Sequence, residues 1–471
     1  MSKTVCLISL GCAKNLVNSE QMLALLVGAG YAIVPEPQGS DVAVVNTCAF
    51  IGPAKQEAVD AILELGQMKN DGMLRAIVVA GCLSERYRDE IAAELPEVDA
   101  FIGVGAFGDV VTAVETALAG EHTELFPAPE TFNDNLPRAL SAPGAWEYLK
   151  IADGCDNRCA FCIVSRIRGK YRSRAEEDIL AEARELAKGG VRELIIIAQD
   201  STRYGMDLYG ERRLVSLLRR LSAIDGIDWI RLHYLYPDGV TDELIQEIAS
   251  NPKILKYLDI PIQHINDDIL RNMKRRSTGA QVRELIAKLR REIPELVLRT
   301  SIITGLPGEG DAEFEELCDF LREVKFERAG VFAFSPEEGT PAFDMEYPDN
   351  DVALERAAII EQLQSRIMDD FNVRREGSVV DVLVEGVDNG WYYGRSFGES
   401  PEIDGVIVVL ASASPAAESF AKTTGEPWSS PLMRSDSDAN QAEQPTEPKI
   451  GSIVTVRIVG SDEGDAVGVM L

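Results

Sequence analysis

The sequence predicts an α/β protein of three domains: a doubly wound parallel sheet, a partial barrel of six β/α units, and a small antiparallel β domain. Three observations predict this. The length of 471 residues suggests about three cores. Strand and helix patterns alternate up to about residue 373, and from about residue 374 short strands follow one another with no helix between them.

The first domain, residues 1–124, has the pattern of a parallel sheet covered by helices. Strand patterns occur in "TVCLISL", "DVAVVNT" and "LRAIVVAG", and helical patterns in "SEQMLALLVGAG", "PAKQEAVDAILELGQM" and "LSERYRDEIAAEL". The proline-rich stretch at residues 125–144 interrupts this alternation and is predicted to be a linker.

The second domain, residues 145–373, repeats the strand and helix alternation six times. Its strand candidates are "EYLKIAD", "ELIIIAQ", "WIRLHYL", "KYLDIPI", "LRTSIIT" and "GVFAFS". Six units indicate a partial barrel rather than a closed one of eight strands.

The third domain, residues 374–471, contains the strand candidates "SVVDVLVEGV", "GWYYGRS", "IDGVIVVL" and "SIVTVRIVG". Residues 411–448 interrupt it and are rich in Ala, Ser, Pro and Glu. The insertion has few large apolar groups, and burying them cannot offset the entropy lost when the chain is ordered. We therefore expect this insertion to be disordered.

Composition narrows the class of protein. No run of about 18 apolar residues and no cleavable leader is visible, which predicts neither a membrane span nor export and indicates a cytoplasmic location. In that compartment the eight cysteines favour metal binding or catalysis over disulfides. The net charge of −30 opposes nucleic acid in general and favours basic partners, although a local patch can differ.

Three cysteines of the first domain occupy the same topological position. Cys12, Cys48 and Cys82 each follow a different predicted parallel strand. Because open α/β sheets bind ligands beyond the carboxyl ends of their strands, we expect the three thiols to converge there. Cys6 lies inside a strand and Cys318 inside a helix, which is typical of ordinary core cysteines.

A second set of cysteines has a sharper spacing. "GCDNRCAFC" places Cys155, Cys159 and Cys162 in one loop after a strand, without a fourth cysteine. A four-iron cube normally takes four thiolates, so this spacing leaves one iron open. The alternative is a zinc site that borrows one of the three histidines His122, His233 and His264.

The CxxxCxxC loop after the first strand of a partial barrel resembles the radical S-adenosylmethionine (SAM) superfamily. That resemblance implies a [4Fe-4S] cluster on Cys155, Cys159 and Cys162, which are then catalytic as well as cofactor-binding, with SAM on the open iron. Phe161 matches the aromatic residue near the adenine in that superfamily, and ordinary core packing is the alternative for it.

The order of the three domains resembles the methylthiotransferases over nearly the whole chain. The resemblance implies that the first domain is flavodoxin-like, that Cys12, Cys48 and Cys82 bind a second [4Fe-4S] cluster concerned with sulfur, and that the C-terminal domain is a TRAM domain. It also implies an electron donor such as a flavodoxin or ferredoxin.

Within that family the chain is similar to the ribosomal-protein-modifying branch. The stretches that carry this similarity are "GCAKNLVNSE", "HYLYPDGVTDELI", "YLDIPIQHINDDILRNMKR", "FAFSPEEGTPAFDM" and "GRSFGESPEIDG". The tRNA-modifying branch typically has Gln-Ser-Gly where this chain has Gln263 and His264 in "IQHIN". The similarity implies methylthiolation of the β-carbon of an aspartate on the twelfth small-subunit ribosomal protein, a basic partner.

Charge in the third domain favours the same branch. Outside the insertion, residues 377–471 contain three basic side chains, Arg395, Lys449 and Arg457, against nine acidic ones, Asp381, Glu385, Asp388, Glu399, Glu402, Asp404, Asp462, Glu463 and Asp465. Such a surface opposes RNA and suits a basic protein, while a solvated acidic face without a partner is the alternative.

Two alternative functions stay open at this point. One is methylthiolation of a tRNA adenosine, which the basic run Arg166–Arg174 favours if it contacts phosphates rather than cosubstrate or solvent. The other is an iron–sulfur RNA-binding protein without radical chemistry. "TGLPGE" lacks the pattern of a P-loop and does not indicate nucleotide triphosphate binding.

Overall fold

The computed structural model describes residues 3–142, 144–388, 391–410, 447–462 and 464–471. Residues 411–446 of the predicted disordered insertion lie outside these residues. Among the helices of the described residues, none is long and apolar enough to cross a membrane.

The N-terminal unit is a parallel six-stranded sheet in the order β2-β1-β3-β4-β5-β6, which begins as flavodoxin-like sheets do. Its strands are β1 Thr4–Ser9, β2 Ala32–Ile33, β3 Val42–Thr47, β4 Ala76–Gly81, β5 Ala100–Ile102 and β6 Thr123–Leu125. Its helices are α1 Ala13–Gly28, α2 Gly52–Asn70, α3 Cys82–Arg86, α4 Ile91–Glu94 and α5 Val110–Leu118. Every residue of β3 and β4 is buried, as central strands covered on both faces require.

One helix prediction for this unit is only partly correct. The stretch "LSERYRDEIAAEL" forms the two short helices α3 and α4 instead of one. At the end of α3, Arg86 donates to the carbonyl oxygen of Ala49 and to the carboxylate of Glu337. These distant partners cannot be predicted from helical periodicity in the sequence.

The central unit is an open parallel sheet in the order β14-β13-β12-β11-β10-β7, which confirms the predicted partial barrel of six strands. Its strands, with a small two-stranded ladder formed by β8 and β9, are β7 Trp146–Lys150, β8 Ala152–Asp153, β9 Arg172–Ser173, β10 Glu193–Ile197, β11 Trp229–Leu232, β12 Ile254–Asp259, β13 Val297–Thr304 and β14 Arg328–Ala333. Its helices are α6 Val164–Ile167, α7 Glu176–Lys188, α8 Leu214–Ser222, α9 Asp242–Ser250, α10 Asp267–Asn272, α11 Gly279–Glu292, α12 Asp311–Val324 and α13 Asn350–Arg375.

The largest hydrophobic core lies between this sheet and its outer helices, where alternate strand residues such as Ile230 and Leu232 meet Leu217 and Leu221 of α8. The other face of the same strands looks into the barrel and is polar: Glu193 and Arg231 are fully buried there. The sheet therefore divides an apolar outer layer from a charged interior.

The C-terminal unit is a closed five-stranded barrel in the order β15-β16-β17-β19-β18. Its strands are β15 Val379–Asp388, β16 Trp391–Arg395, β17 Ile407–Leu410, β18 Ile453–Asp462 and β19 Asp465–Met470. The small β domain is confirmed, but not as wholly antiparallel, because β17 and β19 pair in parallel to close the barrel. The sequence analysis did not predict the 26-residue helix α13 that precedes it.

The loop between β16 and β17 joins the two barrels. Arg231 of the central sheet donates to the carbonyl oxygens of Ser396 and Phe397 at 3.1 and 2.8 Å. Ser400 contacts Nε2 of His233 at 2.9 Å. The stretch "GRSFGESPEIDG" thus contacts polar side chains on the inner face of the open barrel.

This interface corrects the expected acidic surface of the third domain. Glu399 is buried against Arg328 and Arg375, and the side chains of Asp404 and Glu385 are covered beside Arg328 and Arg395. Glu463 and the side chain of Asp462 lie outside the described residues. Of the nine acidic residues, Asp381, Asp388 and Glu402 are exposed among those the structure describes, and of the three basic ones Lys449 and Arg457 are exposed. The acidic excess at the surface of this domain is therefore smaller than the sequence indicates.

Candidate active site at two cysteine trios

The first trio, Cys12, Cys48 and Cys82, lies where three neighbouring strands of the N-terminal sheet end. Cys12 is the N-cap residue of α1 and is separated from β1 by Leu10 and Gly11. Cys48 follows β3, and Cys82 begins α3 directly after β4. The thiols are close enough to influence each other, since Cys82 and Cys12 add to the burial that raises the pKa of Cys48 to about 12. The topology thus brings together cysteines that are far apart in sequence.

Glycines allow this close approach. Gly11 has a φ of +91°, and a Cβ there would lie 2.6 Å from Cβ and 3.1 Å from Sγ of Cys48. Gly81 has a φ of +98°, and its Cβ would meet the side chain of Asn46 at 2.4 Å. L-residues rarely adopt such backbone, so only glycine fits beside these thiols.

Asn15, which the sequence analysis did not select, ties the loops of the first trio together. Its Nδ2 donates to the carbonyl oxygens of Leu10 at 2.9 Å and Thr47 at 3.0 Å. Its Oδ1 lies 3.9 Å from Sγ of Cys82. One fully buried amide therefore contacts the segments that hold all three cysteines.

The second trio, Cys155, Cys159 and Cys162, lies on the loop between β8 and α6. Gly154 starts the loop with a φ of +76°, where a Cβ would be 2.1 Å from the carbonyl oxygen of Lys170. The amide of Cys162 donates to the carbonyl oxygen of Cys159 at 3.1 Å, which turns the chain back on itself. The three thiols consequently share one small loop, and Cys159 contributes to the raised pKa of both Cys155 and Cys162.

Two side chains from other loops contact the buried Cys159. The hydroxyl of Tyr236 lies 3.7 Å and Nη1 of Arg275 lies 3.6 Å from its Sγ. Arg275 also stacks 4.0 Å from the centroid of the Tyr236 ring. Sequence reasoning missed both residues, because neither lies near the cysteines in the chain.

Phe161 is partly buried in a small hydrophobic cluster. It packs against Ala160, Met273 and Phe334 and the neighbouring apolar residues Ile269, Leu306 and Ala342. These contacts are those expected for core packing, and a role beside an adenine ring stays a prediction.

Burial sets the protonation of most of these thiols. It raises the pKa of Cys155 to about 11 and that of Cys162 above its usual range. Cys12 differs: burial also acts on it, but the charges of Lys14 and Arg168, together with hydrogen bonds from the backbone amides of Asn15 and Lys14, outweigh that effect and lower its pKa. Because metals bind thiolates, loading either trio must release protons.

The donor chemistry of both trios fits an iron–sulfur group, since each offers three free thiols. Glycines with positive φ allow the close backbone approach at both trios. No three or more His, Cys, Asp or Glu side chains among the described residues are grouped to hold a single metal ion. The three histidines are engaged elsewhere: His122 with Glu124, His233 with Ser400, and His264 with the amide of Asn266. None of these contacts involves the loop of the second trio, where the zinc alternative needs a histidine.

The first trio lies beside the contact between the first two units. Helix α1, which starts at Cys12, packs Leu16 and Val17 against Tyr148, Ile195 and Ile197 of β7 and β10. Nζ of Lys14 lies 3.2 Å from the centroid of the Tyr234 ring in the central unit. These contacts turn the end of α1 that bears Cys12 toward the barrel.

Comparison with known proteins gives the same three units in the same order. A family described as uncharacterized protein family UPF0004 matches residues 4–103, the radical SAM superfamily matches residues 149–321, and the TRAM domain matches residues 377–424. The radical SAM methyltransferase TsrM from Kitasatospora setae, solved with cobalamin and a [4Fe-4S] cluster, is similar in structure with a TM-score of 0.56 and 13% identity, covering 73% of this chain and 77% of that one. At this identity the likeness concerns the fold alone.

Curated relatives are much more similar in sequence. The ribosomal protein uS12 methylthiotransferase RimO of Caldanaerobacter subterraneus subsp. tengcongensis is 48% identical over 410 residues, which cover 86% of this chain and 93% of that protein. The protein of the same name from Desulforamulus reducens is 49% identical over 412 residues, with 86% and 93% covered.

The fold, the CxxxCxxC loop and these matches define a radical SAM enzyme with an additional N-terminal domain and a TRAM domain. More particularly, identity near 48% over most of both chains shows that this chain belongs to the ribosomal protein uS12 methylthiotransferase RimO family.

Proposed function

We propose that this protein transfers a methylthio group to the β-carbon of an aspartate on ribosomal protein uS12. The names of its relatives support the substrate, and their coverage of nearly the whole chain supports a shared reaction. The observation that carries the proposal is the pair of thiol trios, each with three cysteines, at the contact between the first two units. A ribosomal substrate also implies work in the cytoplasm.

In this proposal Cys155, Cys159 and Cys162 hold one [4Fe-4S] cluster with SAM, and Cys12, Cys48 and Cys82 hold a second one. When bound and reduced, these groups supply a carbon-centred radical that removes hydrogen from an unactivated carbon, together with the sulfur that replaces it. The domain limits 1–124, 145–373 and 374–471 and the electron donor, of the flavodoxin or ferredoxin class, belong to the same proposal.

The chain's own residues prepare the site for such chemistry. Arg275 and Tyr236 cover Cys159 and place a positive charge and a hydroxyl beside its sulfur. Donors of this kind stabilise the electron-rich state of a thiolate ligand. Helix α1 closes one side of the barrel with apolar side chains, which limits the access of water to the site.

The test is anaerobic incubation of the reconstituted protein with SAM, a reductant and either uS12 or tRNA, followed by mass spectrometry. We expect a methylthio mass on uS12 and none on tRNA. Addition to tRNA would replace the proposed substrate by a nucleoside. Failure to form 5′-deoxyadenosine and methionine in a cluster-loaded preparation would favour an iron–sulfur protein without radical chemistry.

A further inference from the structure

Arg168 is a buried arginine that lies between the two cysteine trios. It follows α6, six residues after Cys162, and only 4% of its surface is exposed. Its Nη1 donates to Oδ2 of Asp153 at 2.8 Å and to Oδ1 of Asn18 at 3.2 Å, and its Nη2 donates to Oδ1 of Asn15. The side chain therefore reaches from the central unit into the N-terminal one.

The guanidinium of Arg168 lies beside the first trio. Its acceptor atom, Oδ1 of Asn15, is the atom that lies 3.9 Å from Sγ of Cys82. Cys82 is itself buried; burial raises the pKa of this thiol, and the charge of Arg168 partly offsets that rise. A buried cation thus lies near a largely buried thiol.

The same guanidinium is tied, through Asp153, to the start of the loop that carries the second trio. Asp153, its carboxylate partner, accepts a hydrogen bond from the amide of Gly154 at 2.7 Å, directly before Cys155. The same carboxylate also pairs with Lys150 at 3.2 Å. Lys150 pairs more closely with Asp134, at 2.6 Å, so Asp153 remains the carboxylate partner of Arg168. The guanidinium nevertheless influences Cys82 more strongly than Asp153 does, because it extends toward the first trio through Asn15.

We infer that Arg168 is a positioning residue that joins the two trios, and that its charge raises the reduction potential of the iron–sulfur group bound by Cys12, Cys48 and Cys82. The inference rests on the proposed function, since it takes both trios as cluster ligands. Hydrogen bonds and positive charge next to a sulfur ligand favour the reduced cluster, because reduction adds negative charge there. The same side chain sets where the first trio lies relative to the loop that carries the second trio.

The experiment isolates the first cluster. In protein whose Cys155, Cys159 and Cys162 are replaced by Ala, the potential of the remaining cluster is measured by redox titration for the parent, R168K and R168Q. We expect a more negative potential in R168Q and a smaller shift in R168K, which keeps the charge. An unchanged potential in R168Q overturns the inference.

Arg174 provides the matched control. It is buried in the same segment, but it pairs with Glu182 and the carbonyl oxygen of Lys150. Loss of iron and sulfide from the first trio in R168Q but not in R174Q supports the positioning role, whereas equal loss in both variants reduces Arg168 to a structural residue and overturns the inference. If the parent protein binds this cluster but adds no methylthio group to uS12, the proposed function fails while the potential of Arg168 variants still tests this inference.

Discussion

At the scale of single residues, the cysteines differ in what surrounds them. Cys6 and Cys318 are buried in ordinary cores, and the Cys6 thiol lies 3.6 Å from the carbonyl oxygen of Pro35. The two trios instead adjoin glycines and charged side chains such as Arg168 and Arg275. This contrast supplies a control for cysteine replacement.

Replacing Cys12, Cys48 and Cys82 together by Ala should abolish methylthio transfer but leave SAM cleavage intact, because the second trio keeps its own loop. Product mass and 5′-deoxyadenosine are measured in the same reconstituted sample. C318A, which alters an ordinary core position, should retain both activities. Loss of SAM cleavage in a folded triple variant would contradict independent roles for the two trios.

Protein without bound metal should lose stability in alkaline solution. Burial raises the pKa of Cys155 to about 11 and that of Cys48 to about 12, above the ordinary value of 9.0. The folded state therefore holds these protons more tightly than the unfolded state, and its advantage decreases as pH rises from about 9 through these values. Thermal unfolding of the apo protein at a series of pH values should show a Tm that falls faster than in the variant with Cys48 and Cys155 replaced by Ala. A parallel decline in both would assign the effect to other groups.

At the scale of elements, the segment predicted to be a linker, residues 125–144, is anchored by Arg138. This side chain is 4% exposed and contacts three carboxylates, Glu20 of α1, Glu147 of β7 and Glu182 of α7. It also donates to the carbonyl oxygen of Tyr148 at 2.6 Å. The segment therefore joins elements of two units through buried ion pairs.

R138M should lower the free energy of unfolding by about 3–5 kcal/mol, because it leaves buried carboxylates without their cation. Urea denaturation followed by circular dichroism measures this change. Arg75, whose side chain is 61% exposed and pairs with Asp41, is the control. R75M should cost about 0–1 kcal/mol, as exposed ion pairs do. A similar small cost for R138M would show that water reaches the Arg138 cluster.

At the scale of the whole molecule, the C-terminal barrel is held to the central unit by buried charge. Arg395 of β16 donates to Glu193 of β10 at 2.8 Å, and Arg231 of β11 donates to the other oxygen of Glu193 at 2.7 Å. All three side chains are almost fully buried. Removal of the small barrel would thus expose the polar interior of the larger one.

R395M should destabilise both units together by about 3–5 kcal/mol, since Glu193 and Glu385 lose a buried partner. Differential scanning calorimetry should show one transition for these units in the parent protein and a lower Tm in the variant. R457M, on the exposed side of the same barrel, should change stability by about 0.5 kcal/mol or less. Separate transitions for the two units in the parent would refute this coupling.

Much of the fold was predictable because it depends on local pattern. The buried runs of β3 and β4 and the six strands of the central sheet are visible as apolar stretches between turns. The break between α3 and α4 was not predictable, since the helical pattern continues through it and the residues that Arg86 contacts there, Ala49 and Glu337, lie far away in the chain. The sequence did not reveal the roles of Asn15, Arg168 and Arg275 for a related reason. Single polar residues are mostly exposed, and nothing in the local sequence distinguishes those that are buried.

The sequence by itself determined the order of the three units, the polar and apolar faces of their strands, and the six cysteines in two sets of three, because these depend on residue type and spacing along the chain. Only the tertiary structure decided that Arg168 connects the two sets, that Arg138 anchors the linker and that "GRSFGESPEIDG" enters the larger barrel. Buried charge requires a partner in space, and the partner's place in the chain is set by the packing of whole elements.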